Sequence, residues 1–235
     1  MTYQYVGSEL ELFAAVTNWK TYFARVLAPF ISGDVLEVGA GMGSNTPFLQ
    51  TEGVRTWTCL EPDFELAQRI SRRIATGELP SHCRVVAGTL DQVAPSSRFD
   101  AILYIDVLEH IAGDREELAK AAEHLSSGGR LVVLAPAHQS LYSPFDAAVG
   151  HHRRYNSASL VALHPPGCRP TASMMLDCAG LLASLANRMV LAAAQPTAGQ
   201  LAFWDKVLVP ISRVLDGATG RSLGKTVVAV WSRNP

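Results

Sequence analysis

Short apolar runs alternate with amphipathic segments along most of this chain. The runs are typical of buried strands and lie at residues 35–38, 57–61, 83–87, 99–105 and 130–135. Between them, segments such as 63–75 and 114–125 carry apolar residues at helical spacing, the latter with Asp114 as the expected N-cap. Alternating strands and helices of this length predict an α/β fold with a mostly parallel sheet and helices on both faces.

The two ends of the chain differ from this alternation. Residues 1–30 are expected to form N-terminal helices, since apolar positions recur at helical spacing from residue 8 onward. A sixth strand is predicted at 171–176 and a last strand at 225–231. Residues 177–224 carry two segments with broad apolar faces, which predict a helical insertion. This insertion is interpreted as a lid, a homodimer element or a surface for a lipid-bearing substrate. The whole chain, 1–235, is expected to form a single domain.

A glycine-rich turn directly follows the first strand. Gly39, Gly41 and Gly43 are spaced two apart, and residues without a Cβ allow a tight turn and close approach of a ligand. Strand, glycine turn and helix together open a nucleotide-binding βαβ unit. Glu61 ends the next apolar run about twenty residues later, where an acid can bind both hydroxyls of a ribose.

The residues around this turn also indicate which nucleotide it binds. Glu37 lies two residues before Gly39, and its carboxylate would repel a pyrophosphate but suits a ligand with an ammonium and a sulfonium group. A dinucleotide site would need a third glycine where this chain has Ser44. S-adenosylmethionine therefore fits better than a nicotinamide cofactor, and the sequence also lacks the Tyr-x-x-x-Lys pair of a nicotinamide-dependent oxidoreductase.

Several blocks of the chain resemble, in order, the motifs of class I S-adenosylmethionine-dependent methyltransferases. The blocks are Glu37–Gly43, Leu60–Pro62, Phe99–Ile102, Asp106–Ile111 and Ser127–Leu131. The resemblance implies a Rossmann-like methyltransferase fold with a seven-stranded, mostly parallel sheet, whose antiparallel last strand lies between the fifth and sixth. It also implies that S-adenosylmethionine contacts Glu37, Gly39, Ala40, Gly41, Glu61, Pro62, Thr89, Leu90, Ile105, Asp106 and His110.

The loop after the fifth strand, residues 137–155, is the densest in reactive side chains. Its Asp-x-x-x-Gly-His-His-Arg-Arg-Tyr block resembles one in a bacterial methyltransferase subgroup linked to glycan or secondary-metabolite modification. A neutral imidazole can take a hydroxyl proton, so His151 is the expected general base, with His152 and His138 as alternatives. The expected contacts to the acceptor are Tyr142, Asp146, Arg153, Arg154 and Tyr155. An equally open interpretation is that one arginine pairs with Asp146 and only fixes the loop.

Composition and residue patterns also bear on nucleic-acid binding, cellular location, membrane insertion and metal binding. The formal net charge of −1 argues against a nucleic-acid partner, which would need a basic surface. The four cysteines are scattered without a CxxC pair, and the N-terminus lacks the pattern of a signal peptide, so we expect a cytoplasmic protein. The insertion is too short and too polar in its first half for a membrane span. No metal is predicted, because no two of the candidate ligands His138, Asp146, His151 and His152 have a recognised ligand spacing on a shared element.

These observations predict a biosynthetic O-methyltransferase that uses S-adenosylmethionine and acts on a small molecule or saccharide by in-line displacement. The methyl donor is reactive by itself, so the protein mainly aligns the two partners and excludes water. An alcohol acceptor needs a base, whereas a carboxylate acceptor needs none. The alternatives are a scaffolding subunit that keeps the cofactor fold and a nicotinamide-dependent oxidoreductase.

Overall fold

Seven strands form one mixed sheet at the centre of the molecule. In chain order they are β1 (Gly33–Val38), β2 (Val54–Glu61), β3 (Cys83–Ala87), β4 (Phe99–Ile105), β5 (Leu125–Pro136), β6 (Cys168–Leu176) and β7 (Thr226–Arg233). Their spatial order is β3-β2-β1-β4-β5-β7-β6. β7 runs antiparallel to both of its neighbours, β5 and β6. The expected sheet, with its antiparallel last strand between the fifth and sixth, is confirmed.

Helices cover both faces of this sheet. They are α1 (Glu9–Ala14), α2 (Asn18–Leu27), α3 (Thr46–Leu49), α4 (Phe64–Ala75), α5 (Asp114–Glu123), α6 (Pro144–Ala148), α7 (Ser157–Val161), α8 (Cys178–Val190), α9 (Ala198–Phe203) and α10 (Val209–Ala218). A π-helical turn, Trp204–Leu208, joins α9 to α10. The structure, a computed structural model, describes residues 9–190 and 197–235, with side chains for 10–186 and 197–235. Residues 1–8 of the expected N-terminal helices and 191–196 of the expected insertion lie outside the described residues.

The alternation of side chains along each strand creates two cores. Val35 and Leu103 face the cluster that contains α2, whereas their chain neighbours Leu36 and Tyr104 face the cluster that contains α5. All four side chains are fully buried. Because successive residues of a strand point to opposite faces, apolar runs of this kind require helices on both sides of the sheet.

Side-chain hydrogen bonds at the N-termini of α4 and α5 show which residues cap these two helices. The Asp63 side chain accepts hydrogen bonds from the backbone N–H groups of Glu65 (2.8 Å) and Leu66 (3.0 Å), so it caps α4 as its sequence position suggests. The expectation that Asp114 caps α5 is wrong. Gly113 occupies the N-cap, and the Asp114 carboxylate accepts a hydrogen bond from the Tyr155 hydroxyl at 2.8 Å instead.

Buried acids attach the helical insertion to the rest of the fold. Asp177, at the start of the insertion, accepts a hydrogen bond from Nε1 of Trp204 at 2.6 Å. Asp216, on α10, accepts hydrogen bonds from the Asp177 backbone N–H at 2.7 Å and from the Tyr22 hydroxyl at 2.6 Å. These contacts join α2, β6 and the insertion into one wall. Within the described part of the chain, no helix combines the length and the hydropathy needed to cross a membrane.

Candidate active site

A cavity of about 1100 Å³ lies at the carboxyl ends of the central strands. The glycine loop after β1, the end of β4 and the loop after β5 form its floor and one side. The N-terminal helices and the insertion form the other side, through residues such as Trp19 and Trp204. In open α/β sheets, ligands bind at this edge of the strands.

The glycine loop has a backbone that only glycine adopts readily. The φ angles of Gly39, Gly41 and Gly43 are 65°, 58° and 71°, in the left-handed region. A Cβ placed on Gly39 would lie 2.7 Å from a Cγ of Val107, so the loop is also tightly packed there. The N–H groups of Gly39 and Ala40 donate to the carbonyl of Leu60 at 2.8 and 3.1 Å, which ties the loop to β2.

Glu61 ends β2 and holds the next part of the loop. Its carboxylate accepts hydrogen bonds from the backbone N–H groups of Gly41 (2.7 Å) and Asp63 (2.9 Å). Burial raises the pKa of Glu61 to about 7, although these two hydrogen bonds act in the opposite direction. A carboxylate has about four acceptor positions, so these two hydrogen bonds do not use its full acceptor capacity.

Glu37 lies beneath the glycine loop and does not form part of the cavity wall. The carboxylate is buried, and one of its oxygens accepts hydrogen bonds from the Thr46 hydroxyl (2.7 Å) and from Nε1 of Trp57 (2.8 Å). Burial raises the pKa of Glu37 to about 7 against the effect of these two donors. The expected direct contact with a cofactor is therefore replaced by internal contacts that support the loop.

Ile105, Asp106 and His110 line the cavity at the end of β4, as the sequence predicts. Asp106 has a φ of 54°, and non-glycine residues in this region often mark functional sites. Burial, together with the nearby His151 and His152, lowers the pKa of His110 to about 4, so its imidazole is neutral at neutral pH.

Asp146 and His151 form a pair in the loop after β5, and both line the cavity. Nδ1 of His151 lies 2.8 Å from a carboxylate oxygen of Asp146, and the Tyr142 hydroxyl donates to the His151 carbonyl at 2.7 Å. A carboxylate can only accept, so Nδ1 donates, and a neutral His151 keeps a lone pair on Nε2. The pair is thus arranged as a histidine base held by an acid.

Arg154 forms a two-point ion pair with the same Asp146. Its Nε and Nη2 atoms lie 2.8 and 2.9 Å from the two carboxylate oxygens, and Ser143 donates to Asp146 through its N–H and hydroxyl, both at 2.8 Å. Burial alone would raise the pKa of Asp146, but the hydrogen bonds from His151 and Arg154 hold it well below the usual value. The pairing of one arginine with Asp146 is therefore present, and because Arg154 also lines the cavity, its contact with the acceptor stays a prediction.

Sequence reasoning missed two charged residues of the cavity wall. Glu109 follows Asp106 in the same motif; its side chain is completely buried, and Oε1 lies 3.9 Å from Nε2 of His151. Its position one turn after the strand end is the signal that could have identified it. Lys20, on α2, is also buried and donates to the carbonyl of Ala14 at 3.0 Å. Burial and the positive charge of Arg73 lower the pKa of Lys20 to about 8.

Several residues expected in the site lie outside the cavity wall. Glu61, at the end of β2, and Pro62, Thr89 and Leu90, which lie beyond the ends of their strands, are not part of it. His138 is turned away, and its Nε2 donates to the carbonyl of Gly224 at 2.9 Å.

The remaining misplaced residues belong to the last part of the loop after β5. Tyr155 is buried and donates to Asp114, so it serves packing rather than the acceptor. Arg153 pairs with the same Asp114 and donates to the carbonyl of Ala112 at 2.6 Å. His152 is exposed and does not line the cavity. Within this stretch, His151 and Arg154 line the cavity, whereas His152, Arg153 and Tyr155 do not.

Comparison with known proteins agrees with this architecture. Residues 13–164 match the model of a family described as a methyltransferase domain. A demethylmenaquinone methyltransferase of Tropheryma whipplei is 29% identical over 138 residues, which is 54% of this chain and 52% of that protein. The match thus spans about half the length of that curated relative.

Solved structures show the same fold at low sequence identity. Coclaurine N-methyltransferase bound to N-methylheliamine and SAH has a TM-score of 0.61 at 13% identity, covering 90% of this chain and 71% of that one. Mitomycin 7-O-methyltransferase MmcR has a TM-score of 0.58 at 14% identity, covering 95% of this chain and 54% of that one. Because the family model spans more than half of the sequence, the chain belongs to the methyltransferase domain family and carries a Rossmann-like, S-adenosylmethionine-dependent methyltransferase domain.

Proposed function

We propose that the protein transfers a methyl group from S-adenosylmethionine to a hydroxyl of a small-molecule or saccharide acceptor. The observation that carries this proposal is the Asp146–His151 pair, which lines the same cavity as the glycine loop. A cofactor on the loop and an acceptor beside His151 would therefore share one enclosed space. The demethylmenaquinone and mitomycin enzymes named above both carry methyltransferase names, which supports the reaction class without identifying the acceptor.

In this proposal, the glycine loop and its neighbours would hold the cofactor. Gly39 and Gly41 would contact it through their backbone, and the free acceptor positions of Glu61 would bind the ribose hydroxyls. Lys20 would pair with the carboxylate of the methionine part, because a buried cation in the wall needs a counter-charge. Ile105 and Asp106 would border the same part of the cofactor at the end of β4.

The reaction follows from these positions. The acceptor oxygen attacks the methyl carbon, the bond from that carbon to sulfur breaks, and the sulfonium becomes a neutral thioether. The hydroxyl proton goes to Nε2 of His151, whose other nitrogen is held by Asp146. The protein supplies alignment and exclusion of water, while the cofactor supplies the leaving group.

Replacement of His151 by alanine is expected to lower kcat by ~10²–10⁴-fold with an alcohol acceptor and to leave S-adenosylmethionine affinity unchanged. The reason is that only proton transfer from the acceptor uses this imidazole. Turnover with a panel of sugar and polyketide alcohols, followed by S-adenosylhomocysteine release, measures the effect. His82→Ala is the matched control, because His82 is exposed and lies outside the cavity wall. Full activity of His151→Ala would remove His151 from this role.

Glu61→Gln is expected to weaken S-adenosylmethionine binding by about tenfold, because an amide offers one acceptor oxygen where the carboxylate offers two. It should also change the pH dependence. The pKa of Glu61 is about 7, so in the wild-type protein the ionised form, and with it the affinity, is lost as the pH falls from 8 to 6. Calorimetric titrations at both pH values should show this loss in the wild type and a flatter profile in the variant. Equal profiles would place the pH-sensitive group elsewhere, for example at Glu37.

The insertion supports a further structural role as a lid. Gly180, Leu201 and Phe203 contribute to the cavity wall, so opening this wall would admit substrate. Phe203 and Val214 are also exposed apolar residues of the insertion, which agrees equally with a homodimer contact. The cytoplasmic location and the dimer remain predictions of the sequence.

Calorimetric titration with S-adenosylmethionine, with NAD as the control ligand, separates the proposed function from its alternatives. Binding of S-adenosylmethionine alone is expected. Binding of NAD alone would indicate an oxidoreductase, and binding of neither would indicate a scaffolding subunit.

A further inference from the structure

We propose that Glu109, His110 and His151 bind one divalent transition-metal ion in the wall of the cavity. One ligand atom from each side chain lies within 4.8 Å of the other two. The three residues come from two segments, the turn after β4 and the loop after β5. Two imidazole nitrogens and one carboxylate oxygen form a donor set suited to Zn²⁺, Mn²⁺, Fe²⁺ or Co²⁺ and poorly suited to Mg²⁺ or Ca²⁺.

The Glu109 carboxylate provides independent support for a bound cation. Its side chain has no exposed surface, yet it contributes to the cavity wall. Among the residues whose side chains the structure describes, 10–186 and 197–235, no other residue donates a hydrogen bond to either of its oxygens. A buried carboxyl group without a donor is unfavourable, and a cation at this point would satisfy both oxygens.

Both histidine rings are already held in the way that metal ligands usually are. Nδ1 of His151 donates to Asp146 at 2.8 Å, and the His110 ring donates a hydrogen bond to the backbone carbonyl of Val149. Metal-bound histidines commonly donate their second ring N–H to a carboxylate or a backbone carbonyl. The backbone N–H of His152 also donates to the carbonyl of Glu109 at 2.8 Å, which fixes the two segments against each other.

The distances require only small side-chain rotations to close around an ion. Nε2 of His151 is 3.9 Å from Oε1 of Glu109, whereas tetrahedral ligands at zinc distances lie roughly 3.4 Å apart. The rings of His110 and His151 meet edge to face with centroids 4.6 Å apart. Three protein ligands leave at least one coordination position, and this position would face the cavity.

The catalytic consequence rests on the methyl transfer of the proposed function, but it replaces the role of His151 as general base with a role as metal ligand. With the ion bound, Nε2 of His151 is a ligand, and the acceptor hydroxyl occupies the open position. The cation lowers the pKa of that hydroxyl, its proton passes to water, and the resulting oxyanion takes the methyl group as the methyl–sulfur bond breaks. The histidine then acts on the acceptor through the ion.

Metal binding can be tested on the full chain without any acceptor. The protein is stripped with EDTA, dialysed, and titrated with Zn²⁺ by calorimetry and with Co²⁺ by visible absorption. One ion per chain is expected, with d–d bands typical of mixed nitrogen and oxygen ligands. Glu109→Gln and His110→Ala should each weaken Zn²⁺ binding by more than tenfold, and His82→Ala should leave it unchanged. Absence of binding at millimolar Zn²⁺, or wild-type affinity in both Glu109→Gln and His110→Ala, would overturn the proposal.

Melting temperatures with and without Zn²⁺ distinguish loss of metal binding from poor folding of a variant. In EDTA, Glu109→Gln should melt at or above the wild-type temperature, because the amide removes a buried acid that has no donor. Addition of Zn²⁺ should raise the melting temperature of the wild type and His82→Ala but not that of Glu109→Gln. An equal rise in all three proteins would place the ion elsewhere and refute the assignment.

The same samples distinguish this proposal from the proposed function. S-adenosylmethionine titrations of the stripped protein report on the cofactor site alone. Stoichiometric metal binding that is lost in Glu109→Gln would support the metal site even if no alcohol acceptor is methylated. Methyl transfer that is unaffected by EDTA, from a protein that binds no Zn²⁺, would support the proposed function and refute the metal site.

Discussion

Replacement of Gly39 by alanine should weaken S-adenosylmethionine binding by more than ~100-fold. Gly39 has a φ of 65°, and a side chain in this left-handed region costs about 1–2 kcal/mol. The added Cβ would also lie 2.7 Å from Val107, which follows β4 on the cavity side. The loop can relieve this contact only by moving, and its movement would disturb the N–H groups that Leu60 and Glu61 now hold. Calorimetry with S-adenosylmethionine measures the loss.

Gly128→Ala provides a control with the same backbone strain. Gly128 has a φ of 73°, but a Cβ there would meet nothing within 4 Å, and the residue lies outside the cavity wall. This variant should lose a similar amount of backbone stability and keep S-adenosylmethionine affinity within about threefold. If Gly39→Ala melts close to Gly128→Ala and still binds the cofactor normally, the loop is not the cofactor site.

The predictable parts of this fold are those whose signals are local. β3 and β4 have the bounds expected from their apolar runs, and Asp63 caps α4 because its partners are two and three residues away. Asp114 has the same capping chemistry, but its carboxylate binds Tyr155, which lies forty-one positions along the chain. A distant partner of this kind changes the role of a residue without leaving a trace in the local pattern. β5 likewise begins earlier than expected, because Leu125 pairs with Phe99 across an irregular register.

The residues of the candidate site also divide into those with a local sequence motif and those that depend on contacts between distant parts of the chain. Gly39, Gly41 and Asp106 were identifiable because the loop and the strand end each carry their own motif. The proximity of Glu109 and His151 was not predictable, because it depends on β4 and β5 being neighbours in the sheet. The sequence favoured residue 151 over residues 152 and 138 as the base, and in the folded loop the side chain of residue 151 lines the cavity and is bonded to Asp146. For the same reason, a metal site at these residues could not be predicted from the sequence.

Replacement of Asp146 by asparagine should lower the free energy of unfolding by about 3–5 kcal/mol, which is typical when one partner of a buried ion pair is removed. Asparagine keeps the shape of the side chain but removes the charge that faces Arg154 and His151. The Asp146 side chain is completely buried and that of Arg154 is only 16% exposed, so solvent cannot replace the lost partner. Urea denaturation monitored by tryptophan fluorescence measures the change.

The matched control is Asp34→Asn, which removes an ion pair of equal length at the surface. Asp34 lies 2.8 Å from Arg55, the same distance as Asp146 from Arg154. The side chains of Asp34 and Arg55, however, are 36% and 63% exposed. Water and salt screen such a pair, so this variant should unfold at nearly the wild-type urea concentration. Equal effects of the two substitutions would show that burial does not strengthen the Asp146 pair.

The pH dependence of the Asp146 effect has a defined sign. Hydrogen bonds from His151 and Arg154 overcome the effect of burial and hold the pKa of Asp146 below its usual value. A depressed folded pKa gives stability that is fully present above the unfolded pKa of about 3.9 and is lost as the pH falls toward the folded pKa. The stability difference between wild type and Asp146→Asn should therefore be largest at neutral pH and smaller at about pH 3. A difference that is constant over this range would mean that the cost comes from packing of the loop rather than from the charge that also holds His151.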